Sequence, residues 1–302
     1  MSVDDLLEQF LAEHVAAGHS PKTVDWYEAE IRRFLRWLLA NQLQNGNWLH
    51  PPVIVRYLAE CRTVNGNAPA TVAGHYRGLQ GFFTWLVQRG YIDESPLAQI
   101  PAPKVPKKEP RRAELSEYDH LLESIPQRRW IDLRDRLIIN TLFLCGLRLS
   151  ECAKLTAGDF RINAHLLLVR EGKGGHDRLV PLLPAVERAF VAYLWVRPEV
   201  VAVEPLFLAA NGAGRAVGPL LPGGIRQMLR RRCKRAEQRV LNPHSFRHGL
   251  AMHLLNQGGD MSLVQKVLGH SQISTTAKHY AEWLTDGMLR EFSEKMRGVG
   301  QK

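Results

Sequence analysis

Residues 242–283 read N-P-H-S-F-R-H-G-L-A-M-H-L-L-N-Q-G-G-D-M-S-L-V-Q-K-V-L-G-H-S-Q-I-S-T-T-A-K-H-Y-A-E-W, and they concentrate five histidines, an arginine and a tyrosine. Asn242 is a good helix N-cap, Pro243 suits the first helical turn, and two glycines follow Gln257. Residues 243–257 are therefore predicted to form one helix.

This helix is predicted to have two chemically different sides. Apolar side chains share one side, whereas His244, Arg247 and His248 share another. Arginine donates paired hydrogen bonds to phosphate or carboxylate, and histidine exchanges a proton near neutral pH. The second side is therefore a candidate anion site.

Two further short helices are predicted after this one. The first begins at Asp260 and stops at Gly269, which leaves His270 just past its end. The second is capped by Ser274 and carries Tyr280. Tyrosine is a possible covalent nucleophile when nearby cations stabilise its anion.

The composition predicts a polyanionic partner. The chain has 302 residues, and 40 Lys and Arg against 30 Asp and Glu give a net charge of +10 and a pI near 9.7. Nucleic acid or an anionic membrane surface would fit this charge.

No apolar run reaches the roughly 18 residues of a membrane span, and the start lacks a basic signal region, so a cytoplasmic location is predicted. The four cysteines form no C-x-x-C pair, so neither a disulfide framework nor a zinc site is expected.

The length favours two domains separated by a charged connector. Residues 1–103 have helical periodicity and basic outer positions such as Arg77, which suits a DNA-binding bundle or a solvated one. Residues 104–112 form a basic, proline-rich linker, and residues 113–302 form the second domain. The linker residues predicted to contact phosphates are Lys104, Lys107, Lys108, Arg111 and Arg112.

Arg148 lies at a junction between two predicted helices in apolar surroundings. Such an arginine needs an anionic partner, and Glu151 is one turn away. The motif by itself favours a structural Arg148 and Glu151 pair.

Two more basic features follow. Residues 165–182 are predicted to form a β-hairpin whose Gly-rich turn carries Lys173, although a lysine on a tip is ordinarily only solvated. Residues 226–239 hold seven basic residues and one acid on a helical stretch, which suits a solvated face or phosphate contacts. The predicted phosphate contacts here are Arg226, Arg230 and Arg231.

In order along the chain, these motifs resemble the tyrosine recombinases, the phage-integrase-type site-specific recombinases, and within them the Xer type. The resemblance is carried by G-L-R-L-S-E from Gly146, G-K-G-G from Gly172, H-S-F-R-H from His244, L-G-H-S from Leu268 and the tyrosine that follows. The N-terminal half is similar to that family's core-binding domain.

The resemblance implies a mainly α fold with a small antiparallel β-sheet. It would form a two-domain, C-shaped DNA clamp, with a helical core-binding domain and a mixed α+β catalytic domain. The C-terminal segment would form a helix that docks into a neighbouring protomer.

The resemblance also implies a role for each candidate residue. Tyr280 would attack a DNA phosphodiester, Arg148 and Arg247 would hold its non-bridging oxygens, and Lys173 would protonate the leaving 5′-oxygen. His244 would help the tyrosine lose its proton, and His270 would hydrogen-bond the phosphate or position the nucleophile. Glu151 and His248 would support these groups. No metal and no cofactor are expected.

The implied partners are double-stranded DNA with an inverted-repeat core site and three further recombinase protomers in a homotetramer or heterotetramer; no membrane partner is expected. The implied task is dimer resolution of chromosomes or plasmids, or integration and excision of a mobile element. The target sequence is not encoded in any motif.

Three departures from the family pattern stand out. Nine residues separate His270 from Tyr280, one more than in many Xer-like members. Gly249 replaces a usual hydroxyl residue, and Phe246 replaces a usual leucine. The last two changes are expected to affect packing.

Two other classes of function remain open at this point. One is a DNA-binding protein that has lost catalysis. The other is a metal-dependent hydrolase, because His244 and His248 have the i, i+4 spacing of zinc ligands, although the glutamate of H-E-x-x-H is missing.

Overall fold

The chain divides into two compact units, Met1–Lys108 and Glu109–Lys302, each with its own hydrophobic core. The break between them falls within the predicted linker. The computed structural model describes residues 2–43, 47–106, 111–170, 177–199, 205–268, 292 and 294–299. Within these ranges, no helix has both the length and the apolar character that a membrane crossing requires.

The described part of the first unit is helical. Its helices are α1 (Val3–Ala16), α2 (Pro21–Ala40), α3 (Pro51–Thr63) and α4 (Pro69–Gln88). Three of them start at a proline, whose fixed φ suits the first helical turn. Ser2 caps α1, and Ser20 caps α2 by accepting a hydrogen bond from the backbone N–H of Thr23.

Aromatic side chains fill the core of this unit. Phe10 of α1 meets Phe82 of α4 edge to face, with ring centroids 5.4 Å apart, and both are almost fully buried. Trp85 Nε1 donates to Glu13 at 2.9 Å and links the same two helices. This packing holds α1 and α4 together.

The second unit is mixed. Its described helices are α5 (Leu115–Glu123), α6 (Trp130–Leu144), α7 (Leu149–Lys154), α8 (Pro184–Val196), α9 (Pro222–Arg235), α10 (Pro243–Asn256) and α11 (Met261–Leu268). Its described strands are β1 (Phe160–Arg161), β2 (Leu166–Val169), β3 (Arg178–Pro181), β4 (Leu208–Ala210) and β5 (Ala216–Pro219).

Both sheets are antiparallel. The first has the order β1-β2-β3, and its β2–β3 hairpin pairs Val169 with Arg178 at the end nearest the turn. The second is the β4–β5 hairpin, with a bulge between Ala209 and Ala210. The hairpin predicted over residues 165–182 is thus confirmed, and the second hairpin was not predicted.

α6 is the central helix of this unit. Every residue from Leu137 to Leu144 is buried, and the helix packs against α8 and α10. Gly146 follows at φ 60°, a left-handed conformation that glycine adopts without strain. A Cβ added there would lie 2.5 Å from Leu268 Cδ2, so any other residue would require that side chain to move.

α10 is fixed by its cap and by a close backbone contact. Asn242 Oδ1 accepts the backbone N–H of Ser245 at 2.9 Å, as the sequence predicted. The backbone N–H of Ala113 donates to the Ser245 carbonyl at 2.8 Å. A Cβ added to Gly249 would lie 2.2 Å from the Ala113 carbonyl oxygen, so a larger residue does not fit here without a backbone shift.

The predicted fold class is confirmed: the chain is mainly helical with small antiparallel sheets. The structure also buries Phe292 and Met296, two residues of the C-terminal segment for which a helix is expected, in the core of the second unit. Residues 286–291 and 293 of that segment lie outside the described residues.

Candidate active site

Arg148 and Glu151 form the pair that the sequence predicted. Arg148 is the N-cap residue of α7, and its backbone N–H donates to Glu151 Oε2 at 2.8 Å. Its guanidinium donates to Glu151 Oε1 at 2.7 Å. The side chain of Arg148 retains 22% exposure, whereas that of Glu151 has only 4%. The cap therefore orients an arginine that still reaches solvent.

Arg178 of β3 is a further member of this cluster. Its two terminal nitrogens donate to the two carboxylate oxygens of Glu151 at 2.9 and 2.7 Å, and the residue is 5% exposed. Arg178 is not among the residues predicted from the sequence. A signal was present, because Arg178 shares a strand face with the apolar Val180, so a buried partner was required.

The protonation of Glu151 follows from this arrangement. Burial by itself would raise the pKa of the carboxyl group, but the guanidinium groups of Arg178 and Arg148 and the backbone N–H of Arg148 outweigh it. The net effect lowers the pKa of Glu151 to about 2. Glu151 is therefore an anion at neutral pH and fixes the two arginines.

Arg247 of α10 is buried, with 8% exposure. Its guanidinium donates to the Gly146 carbonyl at 2.6 Å and to the Leu268 carbonyl. The sequence predicted that Arg247 shares one side of the helix with His244 and His248. In the structure the two histidines are exposed, whereas Arg247 is buried. The guanidinium faces the tight turn after α6, and among the described residues the Gly146 and Leu268 carbonyls accept its hydrogen bonds.

Arg247 is buried near two other arginines. Burial lowers its pKa, and repulsion from Arg148 and Arg178 lowers it further, to about 9. Among the described residues, no carboxylate forms a salt bridge with Arg247. Within the described ranges, Glu151 is the carboxylate that faces these three guanidinium groups. A cluster of this composition is suited to an anion.

A cleft of about 490 Å³ lies beside this cluster. Its wall includes Leu149, the residue that follows Arg148, and His244, three residues before Arg247. The cationic and imidazole side chains that line it are Arg111, Arg226, Arg230, His244 and His248. The structure thus gathers predicted residues from the linker, α9 and α10 on one concave surface.

Other predicted residues lie elsewhere. Arg112 is exposed and pairs with Glu114 at 2.7 Å, and Arg231 is exposed on α9 without lining the cleft. Arg77 and Lys104 are exposed residues of the first unit. Five predicted residues lie outside the described residues: Lys107, Lys108, Lys173, His270 and Tyr280.

Possible metal ligands do not cluster in the part of the chain that the structure describes, where no group of three or more His, Cys, Asp or Glu residues converges. His244 and His248 are both exposed at the cleft. His253 has a half-buried ring whose Nε2 lies 3.2 Å from the Lys295 carbonyl oxygen.

Comparison with known proteins identifies the family. The model of the phage integrase family matches residues 111–285, and the model of the phage integrase N-terminal SAM-like domain matches residues 7–90. The chain belongs to the phage integrase family. It is therefore a tyrosine recombinase, a member of an enzyme class that cuts and rejoins DNA through a tyrosine intermediate.

The similarity to individual tyrosine recombinases covers most of the chain. Tyrosine recombinase XerA of Thermococcus kodakarensis is 32% identical over 294 residues, which are 97% of this chain and 96% of the relative. The structure of the XerH site-specific recombinase bound to a palindromic difH substrate has a TM-score of 0.66 at 21% identity, covering 92% of this chain and 78% of that one. A lambda integrase tetramer bound to a Holliday junction has a TM-score of 0.64 at 18% identity, with 91% and 79% coverage. These two structures show that the fold is shared.

Proposed function

We propose that this site-specific recombinase holds the DNA phosphodiester that it cleaves between Arg148 and Arg247. The observation that carries the proposal is that Arg247 is buried and lies close enough to Arg148 and Arg178 for their repulsion to add to the effect of burial in lowering its pKa. An anion bound there would relieve the repulsion among the three guanidinium groups. Arginine also matches the paired oxygens of a phosphate.

The chemistry follows from the predicted roles. The phenolate of Tyr280 attacks the phosphorus and forms a 3′-phosphotyrosyl bond, while the bond to the 5′-oxygen breaks. Lys173 supplies the proton to that oxygen, and His244 receives the tyrosine proton. His270 hydrogen-bonds the phosphate. The phosphotyrosyl bond keeps the energy of the broken bond, so the reverse attack by a 5′-hydroxyl rejoins the strand.

The cleft supports a path for the DNA backbone. Arg226, Arg230 and Arg111 line the same surface as His244, and each can neutralise a phosphate next to the cleaved one. His248 is exposed at the cleft, so we assign it a phosphate contact as well as support of its neighbours. The exposed Arg77 and Lys104 of the first unit are proposed to contact DNA elsewhere on the site.

At the level of the reaction, we propose two successive strand exchanges through a Holliday junction, in a tetramer on an inverted-repeat DNA site. The similarity to tyrosine recombinase XerA along nearly the whole chain supports an Xer-like task, such as resolution of chromosome or plasmid dimers. The shared fold with a tetramer bound to a Holliday junction supports the assembly. The alternative task is integration or excision of a mobile element, and a cytoplasmic location suits both.

A trapping experiment tests the cleavage proposal. The substrate is a nicked duplex that carries the genomic sequence protected by the purified protein, and the reaction contains EDTA. We expect a covalent protein–DNA adduct with the wild type and none with Tyr280→Phe. Binding without an adduct would instead identify a catalytically silent DNA-binding protein, and strand release without an adduct would indicate hydrolysis.

A further inference from the structure

Four charged side chains are buried together where α6 meets α9. Asp132 and Asp135 of α6 are 1% and 2% exposed, Arg134 is 2% exposed and Arg232 of α9 is 5% exposed. Arg232 donates to Asp135 at 2.7 Å through Nε and to Asp132 at 2.7 Å through a terminal nitrogen. Arg134 donates to the other oxygen of Asp135 at 2.9 and 2.6 Å. We call these four residues the buried ion cluster.

Arg232 occupies a position where an apolar residue would be expected. The buried stripe of α9 is formed by Ile225, Met228, Leu229, Arg232 and Cys233, which recur at helical spacing. Removing ions from water is costly, and apolar residues of similar volume often give equal or greater stability. A stable fold alone therefore does not explain the buried ion cluster, whereas a need for one fixed geometry does.

The buried ion cluster also fixes the segment that leads into α9. Arg134 donates to the Leu208 carbonyl of β4 at 2.5 Å, and its guanidinium lies 5.4 Å from the Trp130 ring centroid. Trp130 Nε1 donates to the Gly214 carbonyl in the β4–β5 turn at 3.0 Å. Both ends of the hairpin that precedes α9 therefore accept hydrogen bonds from residues in the first two turns of α6.

The cleft is lined by two exposed arginines of α9, Arg226 and Arg230, and by Leu229 of the buried stripe. Arg230 is two residues from Arg232, which is a rotation of about 200° around a helix of 3.6 residues per turn. Arg226 lies one turn before Arg230 on the same side, and both line the cleft with His244. The hydrogen bonds of Arg232 on one side of α9 therefore fix the direction of the guanidinium groups of Arg226 and Arg230.

We infer that Asp132, Asp135 and Arg232 are positioning residues for DNA binding. They fix the rotation of α9 relative to α6, and the other end of α6 leads through the Gly146 turn to Arg148. Arg226 and Arg230 then contact phosphates at a set distance from the phosphate held by Arg148. This inference rests on the proposed function, because it assumes that the cleft binds DNA.

The salt dependence of DNA binding tests this inference. Each phosphate contact contributes about 0.9 to the slope of log K against log salt concentration. Asp135→Asn keeps the shape of the side chain and removes one charge of the buried ion cluster. We expect this variant to bind its DNA site more than tenfold more weakly, with a slope reduced by about 1.8, the value for two lost contacts.

A double-mutant cycle separates positioning from a general loss of stability. Arg226 and Arg230 are both changed to Gln, alone and together with Asp135→Asn. If the buried ion cluster acts through these two arginines, the combined effect on affinity is clearly smaller than the sum. Additive effects together with an unchanged salt slope would overturn the inference.

Two further variants control the experiment. Arg197→Met removes another partly buried guanidinium, which donates to the Leu206 and Pro205 carbonyls, and it should leave the slope at the wild-type value. Arg232→Lys keeps the charge but loses the two-pronged geometry, so we expect an intermediate slope. It replaces Asp135→Asn if near-UV circular dichroism shows that the latter is unfolded, and a wild-type slope in folded Arg232→Lys would then overturn the inference.

Failure of the proposed function gives a different result. If the affinity of the wild type for duplex DNA does not depend on salt concentration, the cleft is not a phosphate site, and the inference fails with the proposed function. If the affinity of the wild type depends on salt and folded Asp135→Asn gives the same slope, only the positioning inference is overturned.

Discussion

Glu151 is the residue that organises the site electrostatically. It holds Arg148 from the start of α7 and Arg178 from β3, which are separated along the chain by the whole β1–β2 region. A carboxylate that binds two guanidinium groups neutralises only part of their charge. Arg247 brings a third guanidinium group near this pair, and we propose that a DNA phosphate compensates its charge.

This role gives Glu151 a measurable pH signature. Its pKa of about 2 in the folded chain lies below the value of 4.5 of an unperturbed glutamate, so the unfolded chain binds more protons between these values. The stabilisation is therefore complete above pH 4.5 and is lost as the pH falls towards 2, by an amount on the order of 3 kcal/mol. Urea denaturation from pH 7 to pH 2.5 measures it.

Two single variants are compared: Glu151→Gln, and the surface change Glu123→Gln as its control. The free energy of unfolding of Glu151→Gln should be well below that of the wild type at pH 7, and the difference should shrink as the pH falls below 4.5. Glu123→Gln should follow the wild type throughout. A constant gap between Glu151→Gln and the wild type would contradict the assigned pKa.

At the residue scale, the sequence predicted local pairs and missed distant ones. Arg148 and Glu151 are one turn apart, so their contact follows from helix geometry. Arg178 and Arg232 reach their carboxylates only through the tertiary fold, and a basic residue on a helix or strand looks the same in sequence whether it is solvated or buried. The Gly249 departure also needed coordinates, since the contact that demands glycine is with the backbone of Ala113.

At the scale of secondary structure, the predictions succeeded where a cap or a proline defines a start. α10 begins at Pro243 as predicted, and α2, α3 and α4 likewise begin at prolines, Pro21, Pro51 and Pro69. α1 has no proline at its start. Its short apolar set, Leu6, Leu7 and Phe10, becomes informative only when packed on α2 and α4.

The C-terminal segment carries a prediction at this scale. Phe292 is fully buried in the core of the second unit, so Phe292→Ala should lower the free energy of unfolding of the DNA-free protein by about 3–5 kcal/mol. An exchange of this segment between protomers requires that it leave this core first. Thermal and urea denaturation of the monomer measure the change.

Phe207→Ala is the matched control, because Phe207 is equally buried in the same core but far from the C-terminus in sequence. Similar losses for both variants in the monomer would show that Phe292 packs on its own chain. A loss for Phe207→Ala alone would support a C-terminal segment that docks on a neighbouring protomer.

At the scale of the whole molecule, two independent cores have a consequence for DNA binding. Each unit buries its own aromatic and aliphatic set, so residues 1–108 and 109–302 are expected to fold separately. If both contact DNA, joining them makes the second binding event intramolecular, with an effective concentration in the millimolar range for a short linker. Affinity then depends on the linker as well as on the contacts.

Separating the units therefore predicts a large loss of affinity without a loss of fold. We expect each fragment to unfold cooperatively by circular dichroism and to bind the protected DNA site 10²- to 10⁴-fold more weakly than the intact chain. Adding both fragments together should restore occupancy only at the higher concentrations that the fragments need individually. If residues 109–302 alone bind as tightly as the intact chain, the first unit contributes no DNA contact, and Arg77 and Lys104 lose their proposed role.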